Sequence, residues 1–244
     1  MFSDVRRHVI YQIASASART YPFTHLVIDD VFPAAFYAKM QSLMPDDDNY
    51  TPLAETGRVS SNYNPHRLAF FEREASSNKL SAAQRIFWTD AFAALHHEDL
   101  GAWVLAKFYD VIAERLGLNA PDAHMNLQTE IFLMRDLESY KLGPHTDSPS
   151  KVVSVLFYLP ANANRPELGT SLYTPKDPSF VCKGGPHHDA RDFDRVTTIP
   201  YRPNTMVAFP KTTNCFHGVE PVTGIDGRRD ILLFDLKLPK ITAH

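Results

Sequence analysis

The chain has 244 residues, 44% hydrophobic and 22% charged, a balance suited to a folded protein with a buried core and unlike that of a disordered or membrane-inserted one. Its formal charge is −3 and no cluster of Lys and Arg is present, so a phosphate-backbone partner is not expected and no nucleic acid is predicted to bind. Cys182 and Cys215 are the only cysteines and lack CxxC spacing, which excludes a disulfide scaffold and a paired-cysteine zinc site and fits a reducing cytoplasm.

Val5, Val9 and Ile13 recur at four-residue spacing and predict an amphipathic helix from about Ser3 or Asp4. The interruptions at His8, Gln12 and Ser15 argue against an export signal, and no membrane partner is expected. His25 to Ile28 reads as a short strand, and Pro33 opens a helix through Phe36, Met40 and Leu43 that Pro45 and three aspartates end. Glu55 to Pro65 is polar and turn-rich, which predicts a mobile loop able to serve as a lid. Between Ser81 and Leu116, Ile86, Phe87, Phe92, Leu95, Trp103, Phe108 and Ile112 follow helical spacing, predicting two or three supporting helices that Gly117 stops.

Beyond Pro121 the pattern changes to short β-branched and aromatic runs: Asn126 to Met134, Lys151 to Leu159, Thr170 to Tyr173, Val196 to Ile199, Thr205 to Phe209 and Asp230 to Leu238. Helices first and strands afterwards predict one α+β domain over 1–244, a double-stranded β-helix (jelly roll) braced by N-terminal helices. Residues 1–120 form the mainly helical support, with one or two strands, and 121–240 the jelly-roll core. The sequence shows no repeat or linker and sets no oligomeric state.

The run Tyr140-Lys-Leu-Gly-Pro-His145-Thr146-Asp147 enters the strand Lys151 to Leu159. On extended backbone, residues two apart share a face, so His145 and Asp147 can reach one metal. Phe216-His217-Gly218-Val219-Glu220-Pro221 supplies a third ligand after the run Met206 to Phe209. Two imidazoles and a carboxylate on one face leave the opposite coordination positions open, as in non-haem iron(II) oxygenases; the same donors with a water also suit zinc. A second His-x-Asp, His187-His188-Asp189, lies in a Gly-, Pro- and Asp-rich loop where backbone geometry is poorly fixed, which disfavours it as a ligand pair. Downstream, Gly227-Arg228-Arg229-Asp230 precedes an apolar strand, and a guanidinium on its buried face is placed to grip a carboxylate.

Taken in order over Asn126 to Leu238, these segments resemble the iron(II)/2-oxoglutarate-dependent dioxygenase superfamily in its prolyl-hydroxylase-like branch. The resemblance implies an enzyme that uses Fe(II), 2-oxoglutarate and O2, with ascorbate in the assay, and couples oxidative decarboxylation of 2-oxoglutarate to hydroxylation. It further implies that His145, Asp147 and His217 bind iron and that Arg229 binds the distal carboxylate of 2-oxoglutarate, with Arg228 as the alternate. Tyr158 takes the place of a hydroxyl directed at the same carboxylate and Tyr140 that of a pocket wall, each with a core aromatic as its other reading. Because Asp147 keeps the carboxylate ligand, the resemblance points to a hydroxylase rather than a halogenase. The segment Lys176 to Arg195 is an insertion relative to that pattern and is expected to border the substrate channel. Glu130, with Asn126 on its face of a strand, and Arg67 offer one charge of each sign for a small amino-acid-like or peptide-like substrate. The rival reading is a cupin-type metal-binding protein or a non-oxygenase metalloenzyme, which shares the β-sandwich and the histidines but needs no keto acid.

Overall fold

A computed structural model describes residues 2–118, 126–185, 187–224 and 227–239. The expected change of pattern at 120/121 lies outside the described residues. Five α-helices are described: α1 (Phe2–Ser15), α2 (Ala34–Ser42), α3 (Ala82–Leu95), α4 (Glu98–Lys107) and α5 (Tyr109–Leu116). The strands are β1 (Leu26–Ile28), β2 (Thr51–Pro52), β3 (Arg67–Phe71), β4 (Gln128–Leu137), β5 (Leu142–His145), β6 (Lys151–Tyr158), β7 (Thr170–Pro175), β8 (Phe193–Ile199), β9 (Thr205–Pro210), β10 (His217–Val219) and β11 (Arg228–Lys237).

The helices form where the sequence supplies both an apolar stripe and end signals. α1 buries Val5, Val9 and Ile13. Ser81 caps α3 by accepting from the Gln84 amide at 3.2 Å, while the Gln84 side chain accepts from the Ser81 amide at 3.0 Å. Gly117, at φ 66°, closes α5 in the left-handed conformation. Two residues of the expected helical stripe face outward instead: Ile86 is 67% exposed and Trp103 45%. The buried face of α3 runs through Phe87, Trp88, Ala91, Phe92 and Leu95. Trp88 satisfies its indole N–H on the Leu43 carbonyl at 2.7 Å, tying α3 to the end of α2.

Two antiparallel sheets face each other, a seven-stranded one in the order β1-β9-β6-β11-β4-β3-β2 and a four-stranded one in the order β5-β10-β7-β8. The helices cover the outer face of the larger sheet, so its central strands are buried on both sides and read as near-continuous apolar runs. On β11, Leu232, Phe234 and Leu236 pack into the helical layer, whereas Ile231 and Leu233 belong to the core between the sheets. On β4, Ile131 and Leu133 point to the helices and Phe132 and Met134 point inward. This alternation fixes the register and hence which polar side chains enter the interior.

Candidate metal centre

β5 and β10 pair antiparallel with His217 directly opposite His145, which brings the two imidazole centroids to 4.3 Å. The strands approach closely at Gly218, where a Cβ would lie 2.4 Å from the Leu142 carbonyl oxygen. His145 Nδ1 is 3.0 Å from the Gly143 carbonyl oxygen and His217 Nδ1 is 2.9 Å from that of Cys215. With the proton on Nδ1, each ring donates to its carbonyl and presents Nε2 as a free lone pair. Asp147 follows β5 and places Oδ1 4.0 Å from His217 Nε2. The ligand atoms of His145, Asp147 and His217 all lie within 4.8 Å of one another, the one such group among the described residues.

The charge states suit a divalent cation. Burial, reinforced for His145 by its neighbour His217, pushes both imidazoles below their usual range and keeps them neutral. Burial alone raises the Asp147 carboxyl, but Lys151, the two histidines and the Ser154 hydroxyl together hold it well below the usual carboxylate range. Ser154 donates to Asp147 Oδ2 at 2.6 Å, and Lys151 Nζ stands 3.3 Å from Oδ1. Thr146, between the two ligands, donates to the Cys182 carbonyl at 3.0 Å and accepts from the buried Lys211 at 2.9 Å, which fixes the backbone of the His-Thr-Asp segment. Two neutral nitrogens and one carboxylate oxygen, with second partners on both rings and on the carboxylate, fit iron(II).

The same cavity is lined at its other end by Arg229 and Arg67 and between by Leu156, Ile231, Leu233, Phe209 and Thr170. Arg229, on the inner face of β11, is fully buried; Nε donates to the Leu168 carbonyl at 2.7 Å and Nη1 to Asp136 Oδ2 at 2.8 Å. Its Nη2 has no hydrogen-bond partner among the described residues. Asp136 is also gripped by Arg67 at 2.6 and 2.9 Å, because Arg67, Asp136 and Arg229 stand in register across β3, β4 and β11. Two cations against one anion leave a net positive charge facing the cavity. Arg228, by contrast, is partly exposed and paired with Asp47 and Asp230 on the outside.

The other sequence-predicted positions separate. Tyr140 is buried with Arg67 stacked 4.1 Å from its ring centroid, and its hydroxyl is 3.1 Å from that of Tyr63. Tyr158 is buried near Arg229, with its hydroxyl donating to Thr170 Oγ1 at 2.7 Å and accepting from the Thr170 amide at 2.9 Å. Glu130 lies on the inner face of β4 at the end away from Asp136, ion-paired with Arg58 and Lys237. Arg58 belongs to the turn-rich loop and stacks on Phe71 and Phe132, and Val59 and Tyr63 of that loop pack on the inter-sheet core. Asn126 is exposed and precedes β4. Within the insertion, of which residue 186 is not described, the His187 ring is 5.1 Å from that of His145 and the His188 amide donates to the Pro144 carbonyl at 2.9 Å. Asp189 is instead occupied by Arg191 at 2.6 Å.

Lys151, Ser154, Asp136 and Lys211 also shape the site without belonging to a recognisable sequence motif. Asp136, after Ile131 to Met134, and Ser154, within Val152 to Tyr158, carry the signal of a polar residue inside an otherwise apolar strand, whereas Lys151 and Lys211 stand at or just beyond strand ends and carry none.

No protein-family model matches the chain, and no curated protein sequence matches it. Its fold does match solved structures. A prolyl hydroxylase from Trichoplax adhaerens, in complex with a hypoxia inducible factor oxygen degradation domain peptide fragment, is 11% identical over 97% of this chain and 90% of that one, with a TM-score of 0.53. A prolyl-4-hydroxylase from Pseudomonas putida is 15% identical over 96% and 99%, with a TM-score of 0.51. The dioxygenase for auxin oxidation 1 from Arabidopsis thaliana, in a complex with 2-oxoglutarate, is 13% identical over 100% and 91%, also with a TM-score of 0.51. The chain therefore has the jelly-roll fold on which 2-oxoglutarate-dependent oxygenases are built. No helix among the described residues is long and apolar enough to cross a membrane.

Proposed function

We propose that this protein is an Fe(II)/2-oxoglutarate-dependent dioxygenase that hydroxylates a small amino-acid-like or peptide-like substrate. One observation carries the reading: a His-Asp-His group and a buried guanidinium with an unused N–H line one cavity, as a metal chelated by a dicarboxylic keto acid requires. Bound ferrous iron supplies the redox chemistry, activation of O2 at the expense of 2-oxoglutarate.

The chain's own residues prepare that chemistry. His145 and His217 present Nε2 as neutral donors, and Asp147 supplies an anionic oxygen held by Ser154 and Lys151. Arg229 receives the distal carboxylate on Nη2, with Arg67 adding positive charge and Tyr140 backing Arg67. Tyr158 acts through Thr170, which itself lines the cavity. Leu156, Ile231 and Leu233 make a dry wall that strengthens each ionic contact. Glu130 and Asn126 face the substrate side, where Arg58 of the loop pairs with Glu130. The fold works as one domain, and its two buried free cysteines suit the reducing cytoplasm.

The test is calorimetric titration of 2-oxoglutarate into anaerobic protein with and without Fe(II), followed by succinate release with ascorbate across a panel of amino acids and peptides. Metal-dependent binding of 2-oxoglutarate that His217→Ala abolishes is the expected result. Binding that ignores the metal, or no binding at all, overturns the proposal.

A further inference from the structure

The ammonium of Lys151 is placed where a metal site has least use for a cation. Lys151 opens β6, and its Nζ lies 3.3 Å from Asp147 Oδ1, 3.1 Å from Asp235 Oδ2 and 3.2 Å from Ser154 Oγ. Asp147 Oδ1 is the same oxygen that faces His217 Nε2. A lysine needing only a counterion would be satisfied by either carboxylate, yet this one joins the two. Asp235 stands opposite Ser154 in the β6–β11 register, is 1% exposed, and neither of its oxygens accepts a well-directed hydrogen bond. What it gives Lys151 is charge rather than geometry.

We propose that Lys151, balanced by Asp235, is a positioning residue that competes with the metal for Asp147 and so sets how tightly the site holds a divalent cation. The inference rests on the reading of His145, Asp147 and His217 as a metal centre. An ammonium beside the ligand oxygen draws on the lone pairs a dication needs and repels it, both of which weaken binding. Asp235 restrains that effect by cancelling part of the ammonium charge. The two residues therefore act with opposite signs, which a scaffold role for either does not produce.

Anaerobic titration of the full chain with Co(II), followed by its visible absorption, tests this without reference to turnover. Lys151→Met is expected to bind Co(II) about tenfold tighter and Asp235→Asn about tenfold weaker, with Lys151→Arg close to wild type and the Lys151→Met/Asp235→Asn double variant as tight as Lys151→Met, since no ammonium is then left for Asp235 to balance. Weakening in both single variants, or no change in either, overturns the proposal. If circular dichroism shows that Lys151→Met does not fold, Asp235→Asn decides alone, and unchanged affinity there overturns it. A wild-type chain that fails to bind Co(II) instead overturns the metal-centre reading itself.

Discussion

Replacing Arg229 with Met separates the carboxylate grip from the metal ligands, and its consequences can be worked out contact by contact. The change removes one hydrogen bond to the Leu168 carbonyl and one to Asp136, yet Asp136 keeps both of its contacts to Arg67 and is not left as a bare buried charge. Breaking a buried ion pair outright costs about 3–5 kcal/mol; with Asp136 still paired, the loss is expected nearer the ~1–3 kcal/mol of one stranded carbonyl. The variant should fold. On the ligand side, one charge-assisted hydrogen bond contributes ~1.5–3 kcal/mol, so the affinity for 2-oxoglutarate should fall roughly 10- to 150-fold. Calorimetric titration of the metal-loaded protein reads this directly, and Arg228→Met, altered on the outer surface, should stay within about threefold of wild type. A folded Arg229→Met that binds the keto acid as tightly as wild type, or a loss seen in Arg228→Met instead, would refute the assignment.

The Glu130 ion pairs should show in the pH dependence of stability. Burial by itself raises this carboxyl, but Arg58 and Lys237 outweigh it and bring it down from 4.5 to about 2. A depressed folded value means that the stabilisation is present above about 4.5 and disappears as the pH falls toward 2. The melting-temperature gap between wild type and Glu130→Gln should therefore be widest near neutrality and close over that acid interval; a gap that persists at pH 2 would contradict the ion pairs. Gly218→Ala drives a Cβ to within 2.4 Å of the Leu142 carbonyl oxygen, so β10 must move away from β5 and carry His217 from His145. We expect about tenfold weaker Co(II) binding with a stability loss of ~1–3 kcal/mol, and unaltered affinity would mean that the strand spacing does not set the ligand geometry.

How much the sequence discloses depends on how many faces of an element are buried. β6, β9 and β11 are legible because burial on both sides makes them continuous apolar runs, and α1 because its stripe is narrow and regular. β5 and β10 are not legible as strands: they are four and three residues long and contain glycine, and β5 also has a proline. Pairing with each other, not intrinsic preference, makes them extended. β3 is concealed for another reason, since Arg67 reads as the end of a polar loop until Asp136 and the Tyr140 ring satisfy its charge inside the sheet. Ile86 and Trp103 mislead because helical spacing alone does not say which face of a helix is covered. The convergence of His145, Asp147 and His217 is legible through their spacing and residue types, whereas Lys151 and Asp235 become meaningful only when strand register sets them beside Asp147.

That register explains why one sheet can hold two opposed charge requirements. Along the inner face of β11 the alternate residues are Arg229, Ile231, Leu233 and Asp235, and each continues across the sheet. Arg229 is in line with Asp136 and Arg67, Ile231 with Met134 and Ala69, Leu233 with Phe132 and Phe71, and Asp235 with Glu130 on one side and Ser154 on the other. Two apolar rows therefore separate a net cationic row from the row that supports Asp147. The guanidinium row and the row around Asp147 stand at opposite ends of one cavity, Arg229 and Arg67 at one and Lys151 and Asp235 beside Asp147 at the other, with Ile231 and Leu233 between them. Moving β11 by one residue would exchange its inner and outer faces and remove both rows from the interior at once. The apolar residues of β11 that pack under the helices, Leu232, Phe234 and Leu236, thus fix the chemistry on the opposite face without touching it.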